Sequence, residues 1–391
     1  MTVANETGFK AGEWLLLADY GVLARRNMVV SWSCVIALSL VVSIWLPMSA
    51  LSFQQASVAR AASSLVHGAA AFALYLAVSH RLRNNKDPVA AYLSTGLERF
   101  ALLFRGCLLI GAIGSAGLIF TYLATASAPP LKDAFLAELD GYLGFHWPSF
   151  LRAINDRPFL ADLLVKAYVS TAAMTQGVVI WLSMRGQGER LSEFLAVLCL
   201  SSLGLAVGML LAPAAGAFIY FEPARELFNN FTPGRDMWPF LDAFNRLRDG
   251  SLTEIDISAV QGVVSFPSFH TMLGIVTTYA LRDTRTLFIP AAIINGLMVV
   301  ATLPVGGHYL VDTLAGAAIS IAACHGLRHG FGNRASSRQS IGLSSRAAPA
   351  LILSAMPLLS RLKSGTREYV FVMIAACLVT YIVIDNLRGQ F

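Results

Sequence analysis

Two short clusters hold the residues best suited to chemistry: Ser265-Phe266-Pro267-Ser268-Phe269-His270-Thr271 and Gly306-Gly307-His308-Tyr309-Leu310-Val311-Asp312. Histidine gains and loses a proton near neutrality, so each cluster carries a candidate acid, base or nucleophile. His308 and Asp312 are four apart, which puts them on one helix face and lets the carboxylate steer or polarise the imidazole. In the first cluster Ser265 is a candidate helix cap, and Pro267 fits an early helical position where no amide hydrogen is needed. The free amides of such a helix start attract phosphate. A single histidine near a helix end more often only hydrogen-bonds, and an isolated His/Asp pair is a common local contact. Two histidines, a carboxylate and two turns at one face of a bundle point instead to a site, because ionisable groups are costly to hold in a membrane.

The elements that must position these residues are apolar. Of 391 residues 56% are hydrophobic and 13% charged, and the mean hydropathy is +0.62. A soluble domain carries about 25% charged residues, so the coat a globule needs in water is missing. The sequence predicts an all-α, polytopic membrane helix bundle of about nine transmembrane helices, over 28–48, 61–79, 101–123, 160–182, 191–220, 265–281, 287–303, 308–327 and 369–384. Each run approaches the roughly 20 residues a bilayer requires. The net charge of +6 comes from clusters beside apolar runs rather than from one basic face, so nucleic acid is not an expected partner. With the N-terminus cytoplasmic, the inner segments hold about twice as many Lys and Arg as the outer ones. Both histidine clusters then face outward, in a multi-pass protein of the plasma (inner) membrane. The five cysteines stand alone in apolar stretches, without metal-ligand spacing.

Five regions follow: a cytoplasmic segment 1–27 with a candidate amphipathic helix over 13–23; transmembrane helices at 28–124; a catalytic membrane domain, 125–327; a basic cytoplasmic linker, 328–368, with an interfacial piece at 347–359; and a last transmembrane helix at 369–391. Trp147, Trp238, Tyr220 and Phe240 fit an interfacial aromatic belt or a lipid entrance. Gly204, Gly208 and Gly216 mark a span that approaches its neighbours closely.

Pro267-Ser268-Phe269-His270 followed by His308 and Asp312 resembles the second and third signature motifs of the type 2 phosphatidic acid phosphatase superfamily. More narrowly, Asp140-Gly141-Tyr142-Leu143-Gly144 with Trp147-Pro148, then Pro158 and Tyr168, is similar to the branch containing inositol phosphorylceramide synthases. Phe269 stands where the superfamily usually has Gly, and Thr302 where its phosphatases carry an arginine upstream of the second histidine.

The resemblance implies a six-helix catalytic core and phosphoryl transfer through a phosphohistidine. His308 would be the nucleophile, Asp312 would hold its tautomer, and His270 would serve as acid for the leaving alkoxide, then as base for the acceptor. Ser268 and nearby helix amides would bind the phosphoryl oxygens. Arg225, Arg235 and Lys166 are the candidate cations for the phosphate; each also reads as an ordinary interfacial or snorkelling residue. The substrate would be a membrane lipid phosphate and the acceptor water or a polyol, with no metal or cofactor in the scheme. A catalytically inactive lipid-binding or lipid-transporting protein of the same fold is the alternative.

Overall fold

In hydrocarbon every backbone amide and carbonyl must be bonded within its own segment, so apolar runs of this length fold as helices. A computed structural model describes residues 20–83, 87–231, 240–263 and 265–330. Three helices come first: α1, Val22–Trp45; α2, Gln55–Arg83; and α3, Pro88–Ala126. Two short amphipathic helices, α4 (Asp133–Tyr142) and α5 (Trp147–Asn155), precede the long α6 (Pro158–Met184) and α7 (Gly188–Leu211). Next come α8 (Ala217–Phe221) and α9 (Phe240–Arg248), then the histidine-bearing region: α10 (Phe269–Ala280), α11 (Arg285–Ala301) and α12 (Leu310–His325).

Among the described residues six helices are long and apolar enough to cross a membrane, namely α1, α2, α3, α6, α7 and α12 with its C-terminal extension to Arg328. Helices α10 and α11, at 12 and 17 residues, are shorter. The expected span 369–384, the piece 347–359, most of the basic linker and most of the candidate amphipathic helix over 13–23 lie outside the described residues.

Helix α3 begins at Pro88 rather than at 101, and three further boundaries differ from the sequence reading near the histidine clusters. The run 191–220 breaks, because α7 stops at Leu211, Pro213 follows, and Gly216 takes a positive φ of 115° before α8 starts. An L side chain rarely adopts that backbone. The next helix begins at Phe269 and is capped by Ser268 rather than Ser265. The last begins at Leu310, leaving His308 in the turn before it.

One apolar core runs through α1, α3, α7 and α10, with Met28, Leu109, Phe194 and Met272 essentially buried. The N-terminal helices therefore share a core with the histidine-bearing region. Polar side chains add direction inside it: Asn27 donates to Ser192 at 3.3 Å across α1 and α7, and Asn295 donates to Thr277 and Thr278 at 3.0 and 2.8 Å across α11 and α10. Gly204 and Gly208 sit where a Cβ would come 2.6 Å from Ile319 Cγ2 and 2.6 Å from Pro267 Cγ, so α7 approaches α12 and the turn before α10 closely. At the end of the bundle that carries α4 and α5, a two-residue parallel pairing joins strand β1 (Ser52–Phe53) to β2 (Glu254–Ile255). Arg60 reinforces it by bonding Asp256 at 3.0 Å.

Candidate active site

His308 lies in the turn between α11 and α12, where Gly307 has φ 66°. Its amide donates to the Thr302 carbonyl at 3.1 Å, and the Gly307 carbonyl accepts from Ala217 at 2.8 Å. Asp312, in the first turn of α12, is fully buried, and His308 is 5% exposed. Asp312 Oδ2 accepts the Ser265 hydroxyl at 2.6 Å and the Tyr309 amide at 3.1 Å, and lies 3.2 Å from His308 Nδ1. Ser265 Oγ is also 3.2 Å from that nitrogen. An ionised carboxylate only accepts, so this arrangement favours the proton on Nδ1 and a lone pair on Nε2, the tautomer a nucleophile needs. Among the described residues no donor reaches the buried Asp312 Oδ1.

The turn is clamped from α4. Asp133 and Asp140 are seven residues apart and both buried, two turns along one helix face. Asp133 accepts the amides of Ala215 and Gly216 at 3.0 and 2.8 Å and the Tyr309 hydroxyl at 3.0 Å. Asp140 accepts the amides of Leu310 and Val311 at 2.8 and 2.9 Å. The start of α12 is therefore already occupied by carboxylates and offers those amides to no phosphate. Burial pushes the Asp140 carboxyl up to about 7, and the two amides offset part of that rise.

The other histidine enters from α10. Ser268 caps that helix by accepting from the Thr271 amide at 3.3 Å and the Thr271 hydroxyl at 3.1 Å. Its own amide donates to the Asp312 carbonyl at 3.0 Å, which joins the two motifs through the backbone. Close packing makes this join feasible, since a Cβ on Gly316 would come 2.4 Å from the Ser268 carbonyl oxygen. His270 stacks on Tyr168 of α6 with ring centroids 4.2 Å apart and 25° between planes, and its Nδ1 is 3.2 Å from the Tyr168 hydroxyl. A Cβ on Gly306 would lie 2.9 Å from His308 Cδ2 and 3.1 Å from Tyr168 Cε2. Gly306 thus sits between the His308 imidazole and the Tyr168 ring on which His270 stacks.

The remaining predicted residues are distributed differently. Ser268 is fully buried, its hydroxyl engaged as a helix cap. Lys166 is 73% exposed and bonded to Asp162 at 2.6 Å; it is two residues from Tyr168, and residues so spaced point to different sides of a helix. Arg225 begins a single turn, Arg225–Phe228, and its side chain is outside the described residues, as is all of Arg235. Thr302 is buried, donating to Val299 at 2.7 Å and lying 3.0 Å from the Thr313 hydroxyl. Trp147 is 1% exposed and donates to the Leu303 carbonyl at 2.9 Å. It supports the histidine turn from beneath, which corrects its assignment to a lipid-facing belt.

Sequence reasoning passed over Asp133 and gave Ser265, Tyr168 and Asp140 no chemical role. Three of them had a signal: Asp133 and Asp140 repeat at seven residues in a short amphipathic helix, and Tyr168 is a polar-tipped ring inside an apolar span.

No curated protein and no solved structure matches the chain. Residues 134–325, just under half of the chain, match the family model of the PAP2 superfamily. That stretch holds both histidines, Asp140 and Asp312, and is similar to the PAP2 superfamily; among the described residues six helices are long and apolar enough to cross a membrane.

Proposed function

We propose that this protein is a lipid phosphatase or phosphotransferase that works through phospho-His308. The observation that carries the reading is His308 itself: Nδ1 is held by Ser265 and the buried Asp312, which supports a lone pair on Nε2. In the first step Nε2 attacks phosphorus, the bond from phosphorus to the lipid oxygen breaks, and His270 delivers a proton to that oxygen. In the second, His270 takes a proton from water or an alcohol, whose oxygen displaces His308 from phosphorus. Burial and the charge of His308 push the His270 imidazole down to about 3, and the Tyr168 ring face beneath it offsets part of that cost for the imidazolium that the first step needs.

Likeness to the inositol phosphorylceramide synthases favours transfer to a polyol over hydrolysis. The excess of Lys and Arg at the opposite end supports an outward-facing site and a cytoplasmic N-terminus in an inner membrane. Arg225 and Arg235 remain our candidates for phosphate neutralisation, with Ser268 as a support of the turn and Lys166 the weakest of the set. A second reading, a lipid-binding protein without turnover, draws on Thr302, which fills with a packed hydroxyl the position of the phosphatase arginine.

One experiment separates these readings. Incubation of purified protein with a phospholipid labelled at phosphorus should yield an acid-labile, alkali-stable phosphoenzyme that His308→Gln lacks. Normal turnover by that variant would remove the nucleophile, and the absence of both label and product from the unaltered protein would favour the binding reading. Supplying inositol or glycerol and weighing the products distinguishes a new phosphate ester of the polyol from free phosphate.

A further inference from the structure

Helices α10 and α12 carry the histidine motifs at their starts; at their other ends lies a cavity of about 860 Å³. Its walls come from the start of α1, the turn before α7, the residues after α10 and those after α12, with Arg26, Arg190, Arg282 and Arg328 among them. Two of these arginines are compensated. Glu193 bonds Arg282 through both oxygens at 2.7 and 2.6 Å and Arg190 at 3.0 Å, and Arg190 also pairs with Asp283. The other two have no carboxylate against them among the described residues. Arg26 donates to neutral acceptors, Asn27 Oδ1 at 3.0 Å and the Leu327 carbonyl at 3.4 Å. Arg328 stands 6.0 Å above the Tyr279 ring, and its charge and that of Arg282 both repel Arg190. The four guanidinium groups share this space with three carboxylates, Glu189, Glu193 and Asp283, which leaves one net positive charge for an anion, with Arg26 and Arg328 the arginines to meet it. Leu23, which lines the cavity, is 54% exposed, and its chain neighbour Val22 is 85% exposed, so an occupant with a hydrocarbon part finds apolar surface beside the charge.

We propose that this cavity binds the phosphate group of an anionic phospholipid, with Arg26 and Arg328 as its principal ligands and the acyl chains running over Val22 and Leu23. Guanidinium matches phosphate oxygens in a planar fork, and basic pockets between transmembrane helices on the cytoplasmic side suit anionic headgroups. Such a lipid would brace the junction of four helices at the end away from the histidines. The site is independent of turnover at His308.

The test uses full-length protein carrying His308→Gln, so that turnover does not consume the probe. Phosphatidylglycerol, phosphatidylcholine and glycerophosphoglycerol are titrated separately, with retained ligand read by native mass spectrometry and stability by thermal unfolding. Phosphatidylglycerol should be retained and raise Tm, phosphatidylcholine should do neither, and Arg26→Gln with Arg328→Gln should weaken phosphatidylglycerol binding roughly thirtyfold, near a factor of five for each arginine. If the double variant fails to fold, Arg328→Gln alone, on an exposed side chain, should still weaken it about fivefold. Equal binding of the two lipids, or unchanged binding in the variants, would overturn the site. Equal affinity for the chain-free headgroup would overturn the lipid as its source.

Discussion

Asp133 accepts the Tyr309 hydroxyl at 3.0 Å while holding the amides of Ala215 and Gly216. A carboxylate before the fourth transmembrane segment thereby fixes the residue next to His308. Tyr309→Phe removes a hydrogen bond to a charged acceptor, which contributes about 1.5–3 kcal/mol. The variant should melt lower, and its turnover should fall at least tenfold at a temperature where it remains folded. Turnover unchanged in a variant that melts lower would make the clamp purely structural.

Tyr168 and His270 offer a sharper separation of ring from hydroxyl. Their planes are nearly parallel, so the hydroxyl sits over the imidazole more than in its plane, and the ring face is the part suited to an imidazolium. Tyr168→Phe should keep most of the activity, whereas Tyr168→Ala should lose more than tenfold with an ordinary lipid leaving group and much less with an activated phenolic one. A Phe variant as damaged as the Ala variant would transfer the role to the hydroxyl.

Asp140 gives the protein a pH signature. Burial raises its folded-state pKa to about 7 from an unfolded value of 3.8, so the fold binds this proton more tightly than the unfolded chain does. Its contribution to stability is complete below about pH 3.8 and is lost as pH rises through about 7. Denaturation midpoints of the unaltered protein, compared with Asp140→Asn between pH 4 and 8, should show this decline only where the carboxyl is present. Parallel pH profiles would remove Asp140 as its source.

Gly306 is the tightest point between the imidazole of His308 and Tyr168. A Cβ there would lie 2.7 Å from the Thr302 carbonyl oxygen as well as against both rings, so Gly306→Ala should cost activity by roughly a hundredfold, the scale of a 1 Å misplacement. Gly177→Ala, where no atom lies within 4 Å of the added carbon, is the control and should be silent in the same assay.

Much of this site was readable before any coordinates. His270, His308 and Asp312 stand out because ionisable types are rare within apolar runs. Their helical spacing was a sound guide to contact, although the pair meets at 3.2 Å by Asp312 reaching back to the turn, with His308 outside the helix. The exchange of caps between Ser265 and Ser268 was not legible. Either serine can cap a helix, and only the packing of α12 decides that Ser265 turns to Asp312. Asp133 escaped notice for a similar reason: an acid in the first turn of a short helix reads as a dipole partner, and its true acceptor work is for amides and a phenol far along the chain. Lys166 runs the other way, since a cation inside an apolar span invites a functional reading beside the snorkelling one, and its side chain is exposed and bonded to Asp162.

The contact of Gly316 with the Ser268 carbonyl has a wider meaning. Two segments that carry reagents must be kept at a fixed separation, and here the backbone bond that sets it can form because a methyl is missing. A chain that inherited both imidazoles together with alanine at that position would possess the chemistry and lack the ruler.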